Sequence, residues 1–396
     1  MSTTFDAAVV GAGIIGAAVA AELCRQNPDW RVLVMDKSTG PARHQTGRNS
    51  GVIHSGVYYT PGSLKARLCR EGLDETDAYC AANGIPVEQR GKLLVATDAA
   101  ELARLDALQE RAAENHVTAE RLDKAALHAI EPAIAGHGAL RIPSTGIVDY
   151  VAMTRALLAE VEGADGTILF KTLLTALKSG SDGWQMTTPR GTIRATRVVL
   201  CGGLQSDRLA RMAGLQTDMR ILPFRGEYFT LAPHRARIVH HLIYPVPDPS
   251  LPFLGVHLTP MIDGSITVGP NAVLSLAREG YGKLSVNLRD AIDALGYPGL
   301  WRTLARHPRA VALEIASAVS RRRYLKLVRK YCPELTLSDL AGYHAGNRAQ
   351  LVRRDGTLVD DFLILEATGL TAALNAPSPA ATSALPIARH ICAQVQ

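Results

Sequence analysis

The sequence predicts an α/β chain of the two-domain kind: a parallel sheet covered by helices, interleaved with an antiparallel sheet. Three observations carry this. An apolar strand runs without a break into a glycine-rich turn and a helix at 7–16, AVVGAGIIGA, and a second apolar strand, RVLVMD, follows that helix and ends at Asp36. Between 219 and 273 the pattern changes to RGEYFTL, HHLIYPV, PFLGVHL and SITVGP, short strands separated by Pro, Asp and Gly turns. The 396 residues, 47% of them hydrophobic, also suggest two or more folding units.

Gly11, Gly13 and Gly16 form G-x-G-x-x-G, the turn that receives a dinucleotide pyrophosphate. Gly11 permits the tight turn, Gly13 lets the backbone approach the phosphates, and Gly16 lets helix and sheet pack closely above an N-terminus rich in N–H donors. Asp36, twenty residues after Gly16, is placed to accept a ribose 2′-hydroxyl, which argues against a 2′-phosphate. The loop over 38–62 is long enough to be functional, and helical spacing follows it from 63 to 83. A strand is expected over 87–98, a helix over 99–116, and another over 151–162 after the turn-rich PSTGIVDY. A β-meander over 167–201 ends in RVVLCGG, bringing Cys201, Gly202 and Gly203 to the phosphates with Ser206 as the next helix cap. A basic helical stretch fills 286–331, and the chain closes on a strand and a helix from about Ser378, with Pro386 two turns inside it. The expected division is therefore 1–85, 145–218 and 340–396 for the nucleotide domain, and 86–144 and 219–339 for the substrate domain.

Lys and Arg (43) exceed Asp and Glu (37) by six, dispersed except in RRRYLKLVRK at 321–330, so a nucleic-acid partner is not expected. That cluster reads as a solvated helix face or as a peripheral contact with anionic lipid on the inner face of the membrane. The six cysteines show no C-x-x-C, and no metal site is expected. A first strand beginning by about Phe5 and the lack of a spanning apolar run point to a cytoplasmic protein.

The loop RHQTGRNSGVIHSGVYY at 43–59, followed by PGSLKARLCREG, is too polar for core. It resembles the segment after the second strand of L-2-hydroxyglutarate oxidases and dehydrogenases, flavoproteins of the D-amino-acid-oxidase/glycine-oxidase superfamily. PSTGIVDY, CGGLQSDRLA, PFRGEYF, the segment 243–274, GNRAQLVRRDGTLVDDF and LNAPSPAAT resemble family segments in family order. The resemblance implies a Rossmann-like FAD-binding domain with an interleaved antiparallel-sheet substrate domain. It implies FAD contacts from Gly11, Gly13, Ile14, Ile15 and Gly16, then Asp36 and Lys37, and then Gln45, Thr46, Asn49, Ser50, Gly51, Val52 and His54. Leu174, Cys201, Gly202, Gly203, Arg348, Asn375, Ser378, Pro379, Ala380, Ala381 and Thr382 complete that set.

The implied reaction takes a hydride from C2 of L-2-hydroxyglutarate to flavin N5, giving 2-oxoglutarate. A diacid calls for arginines, which grip carboxylates with two parallel donors, and Arg225 and Arg348 are the candidates, with Lys65 and Arg67 as substitutes. His257 and His54 are the candidate bases, His257 on a strand that would turn it inward with Leu254 behind it. Tyr244, and also Tyr58 and Tyr59, are placed to orient a carboxylate. An amine or amino-acid oxidase of the same superfamily and a non-catalytic flavin-binding interaction protein remain alternatives, and the electron acceptor, oxygen or a quinone, stays open.

Overall fold

The structure, a computed structural model, describes residues 4–248 and 255–395. Strand β1 (Thr4–Val10) leads through the glycine turn into helix α1 (Ile14–Gln26), and strand β2 (Val32–Met35) returns parallel to β1, with Val9 opposite Val34. Alanines and glycine give α1 little bulk, so it is buried along most of its length between the sheet and the helices Tyr150–Gly163 and Ala384–Cys392. A Cβ on Gly16 would lie 1.9 Å from the Gly11 carbonyl oxygen, so only glycine lets the helix start against the strand end. Gly11 itself has φ +116° and would drive a side chain into the Cys201 carbonyl at 2.3 Å.

Among the described residues the first sheet has eight strands. Gly191–Leu200 lies parallel to β1 and changes its other neighbour along its length: its first half pairs with Gly183–Thr188 of the meander, while Val198–Leu200 pairs in parallel with Leu370–Asn375. The second sheet has nine strands among the described residues; Lys92–Ala96, Leu242–Pro245, His257–Pro260, Ile266–Gly269 and Arg220–Leu231 form its middle. One face of it packs Leu93, Val95, Ile243, Leu258 and Val268 onto Tyr324, Leu325 and Val328 of the basic helix Arg321–Arg329. A three-stranded sheet of Val52–Ile53, Gly146–Val148 and Val87–Glu88 joins the two.

Several expectations need correction. The stretch 87–98 is two strands in different sheets, broken before Lys92 where Gly91 takes φ +69°. Leu340–Val352, assigned from sequence to the nucleotide domain, pairs along Arg220–Leu231 in the second sheet. Ser206 is the first residue of its helix rather than its cap, which is Gln205. The last helix begins at Ala384, after a turn over 378–383, so Pro386 falls in its first turn, where a backbone N–H has no helical partner to lose. Leu254 lies outside the described residues.

Candidate active site

The nucleotide end is built from backbone. Gly13 precedes α1 and offers no capping side chain; Thr46 Oγ1 accepts the Ile14 N–H at 3.1 Å, which ties the loop Gln45–Gly47 to the helix start. Ile15 is partly buried against the core of the first sheet. Asp36 follows β2 directly, with Oδ2 accepting from Ala12 N–H and Oδ1 from Ser38 N–H, so its carboxylate is locked beside the glycine turn. Gly203, at φ +53°, leaves room for the Gln45 carboxamide, which a Cβ would meet at 2.7 Å. Asn49 folds its own loop by accepting from Gly51 N–H and donating to the Thr46 carbonyl. Lys37 pairs with Glu279, and Leu174 is buried among Val10, Met35 and Leu200.

The turn over 378–383 closes on the same loop. Thr382 Oγ1 accepts the His54 N–H at 3.0 Å and bonds the Tyr150 hydroxyl at 3.0 Å; Ser378 Oγ lies 3.4 Å from His54 Nε2. Pro379, Ala380 and Ala381 make up the turn, with Ala380 N–H donating to Pro377. Asn375 is buried and donates to the Val359 and Asp361 carbonyls, so it braces the turn's approach from below.

Strand alternation decides which candidates meet. His257 stands one pair along from the Ile243–Leu258 match, opposite Tyr244, and the two rings stack at 3.9 Å with 9° between their planes. Following the ladder through Thr259–Thr267 and Thr267–Thr230 puts Tyr228 on this face, and the Tyr228–His344 and Phe224–Arg348 pairs put Arg348 there too. Lys92, opposite Leu242 and two residues before Tyr244's partner Leu94, completes it. Arg225 sits one residue from Phe224, opposite Asn347, and so projects from the other face. There its guanidinium is held by Glu227 Oε1 at 3.1 Å and by the carbonyls of Gly282 and Lys283, a structural ion pair and no partner of Arg348. Lys65 reaches Asp360, and Arg67 is exposed.

Burial sets the charges. His257 and His54 are held well below the usual imidazole value, first by desolvation and then by nearby cations: Arg348 and Lys92 for His257, Lys92 and Lys65 for His54. Both rings are therefore neutral at pH 7. Burial pushes the Tyr244 phenol up, while Thr259, whose Oγ1 is 2.9 Å from His257 Nδ1, also bonds the Tyr244 hydroxyl together with Ser50. Lys92 is lowered to about 8 by burial.

A family model described as FAD dependent oxidoreductase matches residues 6–394. The chain belongs to that family. It is 48% identical over 393 residues to the L-2-hydroxyglutarate dehydrogenase of Escherichia coli K12, covering 99% of this chain and 93% of that one. It is 40% identical over 413 residues to the mitochondrial L-2-hydroxyglutarate dehydrogenase of Homo sapiens, covering 100% and 89%. Its fold matches that of L-alpha-glycerophosphate oxidase from Mycoplasma pneumoniae, solved with FAD bound, at TM-score 0.80 and 22% identity over 99% of this chain and 95% of that one.

FAD is the cofactor of this flavoenzyme, and the residues present fit it. Side chains are missing at Gly11 and Gly13 at the start of α1 and at Gly203 beside Gln45, and the Tyr58 hydroxyl is buried without a hydrogen-bond partner among the described residues, beside the stacked His257–Tyr244 pair through Lys92. Sequence reasoning missed Lys92, Thr259 and Tyr228. For Lys92 there was a signal: a lysine at the head of KLLVA, a strand buried at every position.

Proposed function

We propose that this flavoenzyme oxidises L-2-hydroxyglutarate to 2-oxoglutarate, with His257 as the base. The observation that carries it is a neutral imidazole stacked on Tyr244 and flanked on one sheet face by Arg348, a pairing suited to a hydroxy acid. Gly11, Gly13, Gly16 and the first turn of α1 would hold the diphosphate of FAD, Asp36 the adenosine ribose, and the loop from Thr46 to His54 with the turn 378–382 the ring system. When bound, FAD supplies the two-electron acceptor for the hydride leaving C2. Arg348 grips a substrate carboxylate through its planar fork and turns the C2 hydroxyl toward His257. With Nδ1 engaged by Thr259, Nε2 is the nitrogen that takes the hydroxyl proton. The Tyr244 stack fixes the ring plane, and His54, tied to Thr382 and Ser378, belongs to the cofactor side.

Anaerobic titration of the purified holoprotein tests this. Both enantiomers of 2-hydroxyglutarate, lactate, malate and glycine are added and the flavin bands followed. Bleaching by the L diacid is the expected result; bleaching by glycine alone would make it an amine oxidase, and no bleaching at all a flavin-binding protein without turnover.

No helix among the described residues is long and apolar enough to cross a membrane. The helix Arg321–Arg329 faces outward with Arg321, Arg322, Arg323, Lys326 and Arg329, and Leu327 on it and Val319 and Leu313 on the adjoining helix Pro308–Val319 are exposed. This mix of cations and bare apolar side chains supports peripheral contact with an anionic membrane surface, where a quinone acceptor would be at hand.

A further inference from the structure

Lys92 is 1% exposed, yet among the described residues no carboxylate lies within ion-pair distance of it. The chain's other partly buried lysines follow the usual rule: Lys65 pairs with Asp360 and Lys37 with Glu279. The Lys92 ammonium instead sits 4.7 Å from the Tyr244 ring centre and 5.0 Å from that of Tyr58, whose hydroxyl has no partner among the described residues. Two tyrosine faces do not offset the burial of a full charge, and methionine would pack against Leu94, Leu242 and Tyr244 without that cost. Packing therefore gives no reason for a cation here; an anion from outside the chain does.

The register says which anion. Lys92 and Arg348 share one face of the nine-stranded sheet, with the Tyr244–His257 stack between their strands, and both cations act on the His257 ring. A substrate with its hydroxyl at His257 and one carboxylate on Arg348 has its other end free to reach Lys92. We propose that Lys92 holds the second carboxylate of the diacid and so makes this site select dicarboxylates over 2-hydroxy acids with one. The proposal rests on the reading of the protein as a 2-hydroxy-diacid oxidase and deepens it.

The test uses holoenzyme and two unreactive probes, glutarate and butyrate, whose binding is read from the shift of the flavin absorbance bands. In Lys92→Met, glutarate affinity is expected to fall at least thirtyfold while butyrate affinity stays within about threefold; Lys92→Arg should keep most of the discrimination. Equal losses for both probes, or glutarate affinity unchanged, would overturn the assignment. If Lys92→Met does not retain FAD, unaltered enzyme answers the same question. The groups facing Lys92 are His54 and His257, both lowered, and Cys69, Tyr58 and Tyr244, all raised, so none of them titrates between pH 7 and 9. Glutarate should then bind about tenfold more weakly at pH 9 than at pH 7 as the ammonium discharges, with butyrate unaffected. A flat profile overturns the proposal. Reduction of the parent by L-2-hydroxyglutarate is measured alongside: if that fails, the proposed function falls; if only the probe experiments fail, the Lys92 role alone falls.

Discussion

Burial suits His257 to the proposed role of base at neutral pH. Desolvation and the Arg348 and Lys92 charges hold its ring neutral well below the ordinary imidazole value. The rate of flavin reduction should therefore stay level as pH falls from 7 through 6.5, its acid limb lying lower; a stopped-flow profile with a limb centred at 6.5 would contradict this. The same shift carries a stability cost of known sign. Below 6.5 the unfolded chain takes up protons that His257 and His54 refuse in the folded one, so stability declines as pH drops from there. His257→Ala should keep FAD and slow reduction by about a hundredfold or more, while His54→Ala should also disturb the flavin spectrum. The two arginines separate by what they lose. Arg348→Ala should cost substrate binding on the order of 2 to 5 kcal/mol. Arg225→Ala strands the buried Glu227 carboxylate and should cost about 3 to 5 kcal/mol of stability, seen as a lowered Tm.

At the scale of elements, the glycine turn was legible in sequence because its demands are local. Gly16→Ala places a methyl 1.9 Å from the Gly11 oxygen, so α1 must back away from β1; the variant should purify without FAD, and a yellow protein would show that the helix can shift without harm. Pro386 misled the reading because its cost depends on where the helix starts. In the first turn it removes no helical hydrogen bond, so Pro386→Ala should change stability by less than about 1 kcal/mol in denaturant unfolding. Leu340–Val352 misled it for a different reason: a strand's composition tells that it pairs, while its partner Arg220–Leu231 lies more than a hundred residues away.

For the whole molecule, the nine-stranded sheet is a partition. Its one face carries Arg348, Tyr228, His257, Tyr244 and Lys92; its other packs Leu258 and Val268 on the basic helix. The candidate site and the cationic helix thus lie on opposite faces of one scaffold. Sedimentation with vesicles should show binding to anionic phospholipid that weakens with salt, at about 1 kcal/mol per basic residue near the surface. Arg322→Glu with Arg323→Glu should abolish it and leave flavin reduction unchanged. Equal binding to neutral vesicles, or none to either, would make this a solvated helix face.

The sequence by itself determined the glycine turn, the acid after β2, the long polar loop over 38–62 and the strand-rich second unit, because each is written in contiguous residues whose backbone needs are their own. It also put forward His257, His54, Tyr244 and Arg348 as candidates. Only the tertiary structure decided which side chains share a face. Arg225 and Arg348 looked equivalent as residues, but a one-residue offset in register sends them to opposite sides of the sheet, one to Glu227 and the other toward His257. Lys92 entered the site by the same rule, since the parallel pairing of Lys92–Ala96 with Leu242–Pro245 joins segments about 150 residues apart, and nothing local to either strand announces that pairing.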